Sequence, residues 1–509
     1  MGEVSVAKPR APLWTAYEAA AATGGALCIR PSKGARDSEG RWPAEEWAAS
    51  GLSIDTRSLK PGEVFVALKD ARDGHDFLAS AFENGASAAL VSRIADAAPI
   101  DAPLLVVPDV MAGLHDLAAA ARRRNFGKRV AITGSAGKTS TKEMMRVVLS
   151  GFGATHAPDK SLNNHIGVPL TLARMPMATD FGVFEIGMNH AGEITPLSRL
   201  VKPHVTVITT VGEAHLENFE NVEGIARAKA EIMLGLEPGG AAILPIDNQH
   251  FDFLLERARE AGVERIVTFG ENARADVRLL DYQTDGVTGR AAAFAGGERL
   301  KLNIGAPGKH HAMNAMTVLA AAIEFGLPVA EAAARLERFG AGGGRGAQRR
   351  IDLGDGRRVT VLDESYNANP ASARAAIALL GAMARAPEGR KIVVLGDMLE
   401  LGPDAPALHA GLADALVAAG VDQVYSAGSL AKNLVDAAPA AMRARAAPDV
   451  DALLADFVAD LRDGDIVMVK GSNASKVSRI VDALNAADVS PSSQGHAAGA
   501  ESSAARRFV

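Results

Sequence analysis

The sequence predicts an α/β protein built from three units, and three observations predict it. The chain has 509 residues, about three domains at ~150 residues each. Short apolar runs alternate with stretches of helical periodicity along most of its length, the pattern of parallel strands buried between helices. A strand, a glycine turn and a helix then follow one another without interruption over residues 129–149. Hydrophobic residues make up 48% and charged residues 22%, enough apolar surface to bury cores and too much for a disordered chain.

Composition also narrows the function classes. Lys and Arg number 54 against 60 Asp and Glu, a formal charge of −6, so no basic field marks a nucleic-acid partner. Aromatic residues at 5% leave few platforms for stacking single strands. Cys28 is the one cysteine, which excludes an intrachain disulfide and a cysteine-rich metal site. No apolar run approaches the ~18 residues of a membrane span. Lys8 and Arg10 are followed by Glu18, a poor signal peptide, so the expected location is the cytoplasm.

In chain order, the polar, Gly- and Pro-containing residues 30–44 read as a loop. Residues 52–68 read as short strands around a turn at Pro61-Gly62, residues 77–86 as a helix, 88–91 and 104–107 as strands. Residues 110–124 read as a helix ending in the basic run Arg122–Arg124. These elements define a first unit, residues 1–126. The second, residues 127–341, opens with a strand at 129–133, a glycine turn at 134–137 and a helix at 138–149. Strands at 181–186 and 205–211 follow, each with a polar loop and a helix, and then a helix at 311–325. A glycine cluster from Gly340 to Gly346 marks the next boundary. The third unit, residues 342–487, shows strands at 359–362, 391–395, 423–426 and 465–469, with helices at 371–383, 408–419 and 475–486. Residues 488–509, rich in Ser, Gly and Ala, are expected to be a disordered tail.

The strongest local signal is Gly134-Ser135-Ala136-Gly137-Lys138-Thr139-Ser140, between a strand and a helix. Glycines let backbone N–H groups turn toward phosphate oxygens, and the helix N-terminus adds a partial positive charge. Lys138 is placed to reach the terminal phosphates and the Thr139 hydroxyl to hold Mg²⁺. The spacing, GxxGK[ST], is two residues shorter than the common phosphate loop. Glu185 ends one following strand and His215 follows the next. In an open parallel sheet ligands bind beyond the carboxyl ends of the strands, so the three strand ends converge. A carboxylate suits Mg²⁺, whereas histidine is a less usual ligand. Position alone leaves plainer roles open: a turn cap for Glu185, a loop histidine for His215. Lys229, on a helix in Ala226-Arg227-Ala228-Lys229-Ala230-Glu231, reads by position as a solvated surface charge.

The shortened loop resembles the ATP site of the Mur ligases, the ATP-dependent amide-forming enzymes of peptidoglycan synthesis, and of the related folylpolyglutamate synthases. The rest of the chain, over about residues 50–485, supports the former. The resemblance implies that Glu185 and His215 hold magnesium and that Lys229 is carbamylated. The segment from Gly308 to Ala315 resembles the family's GxHNxxNA signature, with Asn314 at the adenine-contacting position and His311 where the family usually has Asn. It further implies that Arg345 reaches the phosphates and that Asp363 contacts the ribose, although an Asp there also suits a helix cap. Residues 53–77 resemble the UDP-binding first domain of the family, with Asp55, Thr56, Arg57 and Ser58 on the binding turn. Leu162-Asn163-Asn164 through Leu172 resembles the branch that adds the terminal dipeptide, as do residues 393–402 and 469–473. Asn163 and Asn164 carry amides suited to a carboxylate or acyl phosphate, or to a loop turn. Asn367, Asn369, Lys470 and Ser472 complete the implied substrate contacts.

The resemblance thus implies three domains: a small α/β domain for the UDP substrate, a central parallel-sheet ATPase domain and a C-terminal Rossmann-like domain. It implies a monomer that uses ATP and Mg²⁺ to add D-alanyl-D-alanine to UDP-N-acetylmuramoyl-tripeptide through an acyl phosphate. Ligases that add the third residue (diaminopimelate or lysine) or glutamate remain alternatives, as does an ATPase switch that forms no bond. An amine-acceptor screen separates them.

Overall fold

The computed structural model describes residues 11–30 and 46–489; the loop expected at 30–44 lies outside these from residue 31 on, and the expected tail from residue 490 on. Near the N-terminus a five-stranded sheet runs in the order Ala26–Ile29, Pro103–Val106, Ala88–Val91, Glu63–Val66, Gly51–Ser53. The last two strands are parallel, so the turn at Pro61-Gly62 ends a return loop rather than joining a hairpin. The helix expected at 77–86 is shorter, Leu78–Glu83, because a 3₁₀ turn at Gly74–Phe77 precedes it. The helix Val110–Arg123 begins where the Asp109 carboxylate accepts from Ala112 N–H at 2.7 Å, an N-cap for an otherwise unpaired donor. Its buried face, Val110, Leu114, Leu117, Ala118 and Ala121, has helical spacing and packs on the helix Gly167–Ala173.

The central sheet has nine strands. Thr155–His156, Phe181–Glu185, Lys128–Thr133, Val205–Ile208, Ala241–Pro245, Arg265–Gly270 and Val277–Thr284 lie side by side and parallel. Gly289–Ala295 and Glu298–Ile304 extend the sheet antiparallel. That extension departs from the all-parallel expectation. Its alternating burial is regular, yet Gly289–Ala295 is alanine-rich, a composition with weak strand preference. Chain order reverses around Lys128–Thr133, whose neighbours Phe181–Glu185 and Val205–Ile208 lie on opposite sides. This is the switch point at which α/β sheets bind ligands.

A third, six-stranded sheet runs Ala347–Asp352, Arg358–Glu364, Ile466–Lys470, Lys391–Gly396, Gln423–Ala427, Arg443–Ala447, parallel except for its first pair. The helix expected at 408–419 is two helices, Ala405–Ala410 and Ala413–Ala418, separated around Gly411. The terminal helix starts at Ser478, not 475, after a 3₁₀ turn.

One apolar core runs without a break from Trp14, Leu52, Leu90 and Leu117 into Val168, Leu170, Phe184 and Ile225, joining the N-terminal unit to one face of the central sheet. The C-terminal sheet keeps separate cores on its two faces. No helix among the described residues is long and apolar enough to cross a membrane.

Candidate active site

A cavity of about 720 Å³ lies between the carboxyl edges of the central and C-terminal sheets. From the central side it is lined by Ser135, Ala136, Gly137, Lys138, Thr139 and Ser140, by Asn163, Glu185 and His215, and by His311 and Asn314. From the other side come Arg345, Asn367, Asn369, Lys470 and Ser472. Gly134, Asn164, Lys229, Asp363 and the turn Asp55–Ser58 are not on its wall.

The phosphate loop has its sharp path because two positions cannot carry a side chain. Gly137 has φ +85°, and a Cβ there would sit 2.8 Å from Asn314 Oδ1; at Gly134 a Cβ would sit 1.9 Å from Thr209 Oγ1. The helix Lys138–Leu149 starts directly after Gly137, with no side chain capping it, so its N-terminal N–H groups remain for an anion. Lys138 Nζ donates to Gly134 O at 2.6 Å. Burial lowers the Lys138 amine; Glu185 opposes that and the positive charge of Arg345 adds to it. Arg345, from the glycine linker, therefore converges with Lys138 on one region. Its guanidinium stacks 4.0 Å from the Tyr366 ring centroid.

Glu185 is buried at the end of its strand. Thr139 Oγ1 donates to its Oε2 at 2.8 Å, while Ser161 Oγ and Asn163 Nδ2 donate to its Oε1 at 2.8 and 2.7 Å. Burial raises this carboxyl, but Lys138 and the three hydrogen bonds outweigh that and hold it below the usual carboxylate range. An ionised carboxylate beside a threonine hydroxyl is an oxygen donor pair fitted to Mg²⁺. Among the described residues no group of three or more His, Cys, Asp or Glu could hold a metal ion, so a fuller ligand set needs Thr139 and donors of other kinds. His215 Nδ1 lies 2.5 Å from Glu400 Oε2, on the C-terminal domain.

Lys229 overturns its plain reading as a surface charge. It is 2% exposed, and no hydrogen bond or ion pair to its amine occurs among the described residues. Burial first, and then the charge of Lys138, push it well below the ordinary lysine value. An uncharged amine is the nucleophilic form that reacts with CO₂. Glu231, two residues on, instead caps the helix Ile194–Val201, accepting from Thr195 N–H at 3.1 Å and from Gly192 N–H at 2.6 Å.

The two asparagines divide. Asn163 serves Glu185, whereas Asn164 Oδ1 accepts from Ile166 and Gly167 N–H groups and starts the helix Gly167–Ala173. Asp363 uses its carboxylate on the linker, accepting from Gly344 N–H at 2.7 Å and Ser365 Oγ at 2.6 Å. Asn369 caps the helix Pro370–Ala382 through Ser372 N–H, and its Nδ2 reaches across to Ser135 O at 3.1 Å. Buried Lys470 donates to Asn367 O at 2.9 Å beside Glu364 Oε2 at 3.6 Å; burial lowers the amine and raises the carboxyl. Ser472 Oγ accepts from Leu399 N–H. His311, 1% exposed, packs between the His310 ring at 4.1 Å and the edge of Phe339, with both ring nitrogens unpartnered among the described residues. In the first domain Arg57 folds onto Asp55 through two side-chain hydrogen bonds of 2.9 and 2.7 Å. Lys160, three residues before Asn163, also helps lower the Asp55 carboxyl after Arg57.

Sequence reasoning missed Glu400, Ser161, Glu364 and Tyr366 as wall residues. Glu400 lay within the stretch 393–402 that carried the resemblance, and its acidic side chain two residues before Gly402 was the available signal.

Residues 132–322 match the Mur ligase middle domain, and residues 349–473 match the Mur ligase, glutamate ligase domain. Among curated relatives, the UDP-N-acetylmuramoyl-tripeptide--D-alanyl-D-alanine ligase of Escherichia coli (strain K12) is 35% identical over 442 residues, spanning 85% of this chain and 93% of that protein. The ligase of the same description from Rickettsia prowazekii (strain Madrid E) is 31% identical over 431 residues, spanning 85% and 94%. Among solved structures, MurF from Acinetobacter baumannii is similar with a TM-score of 0.78 at 29% identity, covering 92% of this chain and 98% of that one. The MurF ligase from Thermotoga maritima in complex with ADP follows at 0.70 and 25%, covering 85% and 96%.

Proposed function

This chain belongs to the Mur ligase family, and on that premise we propose that it joins the carboxylate of UDP-N-acetylmuramoyl-tripeptide to the amine of D-alanyl-D-alanine, with ATP cleaved to ADP and phosphate. The observation that carries the reading is the single cavity where the phosphate loop, Glu185 and Asn163 face Arg345, Asn369 and Lys470. The relatives' shared description supports the choice of dipeptide.

The chemistry explains the cations. The substrate carboxylate attacks the γ-phosphoryl group to give an acyl phosphate, and the amine then displaces phosphate. The first step brings two anions together. Unit charges ~4 Å apart at an effective dielectric of ~20 repel by ~4 kcal/mol, about three orders of magnitude in rate. Lys138 and Arg345 offset that repulsion from opposite sides of the cavity. Magnesium, when bound, neutralises phosphate charge and orients the transferred group. Thr139 and Glu185 would hold it, with His215 and a carbamate on Lys229 as further ligands. A bare ammonium on Lys229 would repel the ion, while a carbamate offers anionic oxygens. Enclosure between two domains keeps water from the acyl phosphate.

The turn Asp55–Ser58 is proposed to bind the UDP portion within the N-terminal unit, residues 1–126. Residues 127–341 would bind ATP, and residues 342–487 the dipeptide. Work as a monomer in the cytoplasm, where ATP is supplied, belongs to the same proposal.

The test is ADP release with UDP-linked tripeptide and a panel of amines. D-Ala-D-Ala should be the preferred acceptor; preference for diaminopimelate, lysine or glutamate would refute it. For the carbamate, Lys229→Ala should lose activity and partly regain it with added short-chain carboxylic acids. Full activity of that variant without additive would refute the modification.

A further inference from the structure

We propose that Glu400 is a positioning residue that couples the seating of the C-terminal domain to the metal-binding form of His215. This rests on the reading of His215 as a magnesium ligand. The two side chains come from different domains and meet at 2.5 Å, Oε2 to Nδ1. Both line the cavity. Each residue is a non-glycine in the left-handed region, His215 at φ +60° and Glu400 at φ +65°. That conformation is unfavourable for residues with side chains and persists where surrounding contacts hold it. The contact is reinforced next to it: Glu217 N–H donates to Glu400 O at 3.1 Å, and Gly402, at φ +67°, passes close to Glu217.

The loop bearing Glu400 is fixed to its own domain. Met398 N–H donates to the buried His409 Nε2 at 2.9 Å, and Leu399 N–H donates to Ser472 Oγ at 2.9 Å. Asp397 accepts from the Leu430 and Ala431 N–H groups. Glu400 therefore moves with the C-terminal sheet, and its contact with His215 forms only when that sheet is seated. Among the described residues Nδ1 makes no aligned hydrogen bond, so the 2.5 Å contact is an ion-pair approach; a turn of the ring onto the carboxylate would hold the proton on Nδ1 and leave the Nε2 lone pair for a cation. Seating the domain thus selects the tautomer and orientation that a metal ligand needs. It does so on the side from which Lys470 and Asn369 face the cavity.

Binding of Mn²⁺ to the full chain with ADP, followed by electron paramagnetic resonance, reads this without turnover. Glu400→Ala should weaken Mn²⁺ binding about tenfold, the usual scale for a partner behind a metal-binding histidine. Glu400→Gln, whose amide oxygen can still accept from Nδ1, should recover most of that loss. In a His215→Ala background Glu400→Ala should add less than about twofold, because the two act as one unit. Wild-type affinity in Glu400→Ala alongside a loss in His215→Ala overturns the role of Glu400 and leaves His215 a ligand. Wild-type affinity in both variants overturns the ligand reading and the coupling with it. Losses that multiply in the double variant overturn the coupling alone.

Discussion

The N-terminal unit meets the central domain through apolar packing, and the C-terminal domain meets it through polar contacts around a cavity. At the first junction the helix Val110–Arg123 lies on Gly167–Ala173 within one continuous core. Trp14 Nε1 donates to Ala173 O at 3.0 Å beneath the Arg124 guanidinium, which sits 3.8 Å from the indole ring. Arg174 Nε donates to Leu52 O at 2.7 Å. At the second junction the bridging contacts include Asn369 to Ser135, Gln348 Nε2 to Gly286 O, Glu400 to His215 and Glu217 N–H to Glu400 O, and the linker between the domains is rich in glycine. A shared apolar core makes two units move as one body, whereas a small polar interface lets domains separate. The proposed chemistry lies at the separable junction, where a nucleotide could enter and cations from both sides could then close on it.

The largest effect should come from the polar junction. Lys138→Ala should lower dipeptide-dependent phosphate release by about three orders of magnitude with circular dichroism unchanged; retained turnover would refute its role. At the apolar junction Trp14→Ala should cost about 3–5 kcal/mol, as for other buried Trp truncations. Chemical denaturation should then show the N-terminal and central units losing stability together; loss confined to the N-terminal unit would break the one-body description. Asn369→Ser keeps a helix cap but is too short to reach Ser135. It should raise KM for ATP about fivefold, the worth of one ~1 kcal/mol hydrogen bond, with the unfolding midpoint held. An unchanged KM would show that the bridge contributes nothing to closure.

A separate effect is a pH dependence within the central domain. His204 Nδ1 accepts from Arg129 N–H at 3.1 Å, and burial followed by the charge of Arg129 lowers its pKa from 6.5 to about 4. A folded-state value below the unfolded one means that the stabilisation is complete above about pH 6.5 and is lost as pH falls toward 4. His204→Gln should flatten the stability profile in that window, measured by urea midpoints from pH 7 to 4. An identical slope in the variant would assign the loss to other groups.

Much of the fold was legible because its signals are local. The phosphate loop announces itself through glycines that only a strand-to-helix turn requires, and Val110–Arg123 through its cap and apolar spacing. The antiparallel strands Gly289–Ala295 and Glu298–Ile304 were hidden because their pairing is decided by a neighbouring strand and not by their own composition. Within the site the same division holds. Asn163 and Asn164 look alike in sequence, yet one serves Glu185 and the other starts a helix. Glu400 carries no mark of its partner, since His215 lies in another domain.

By itself the sequence determined the three-unit α/β plan, the glycine turn that carries Lys138 and Thr139, and part of the cavity wall. Each depends on neighbours within a few positions, where backbone geometry leaves few choices. Only the tertiary structure decided that Lys229 is buried with no partner among the described residues, that Asp363 holds the linker, and that Glu400 meets His215. Burial and charge pairing depend on which distant segments pack together, and that is set by the whole core.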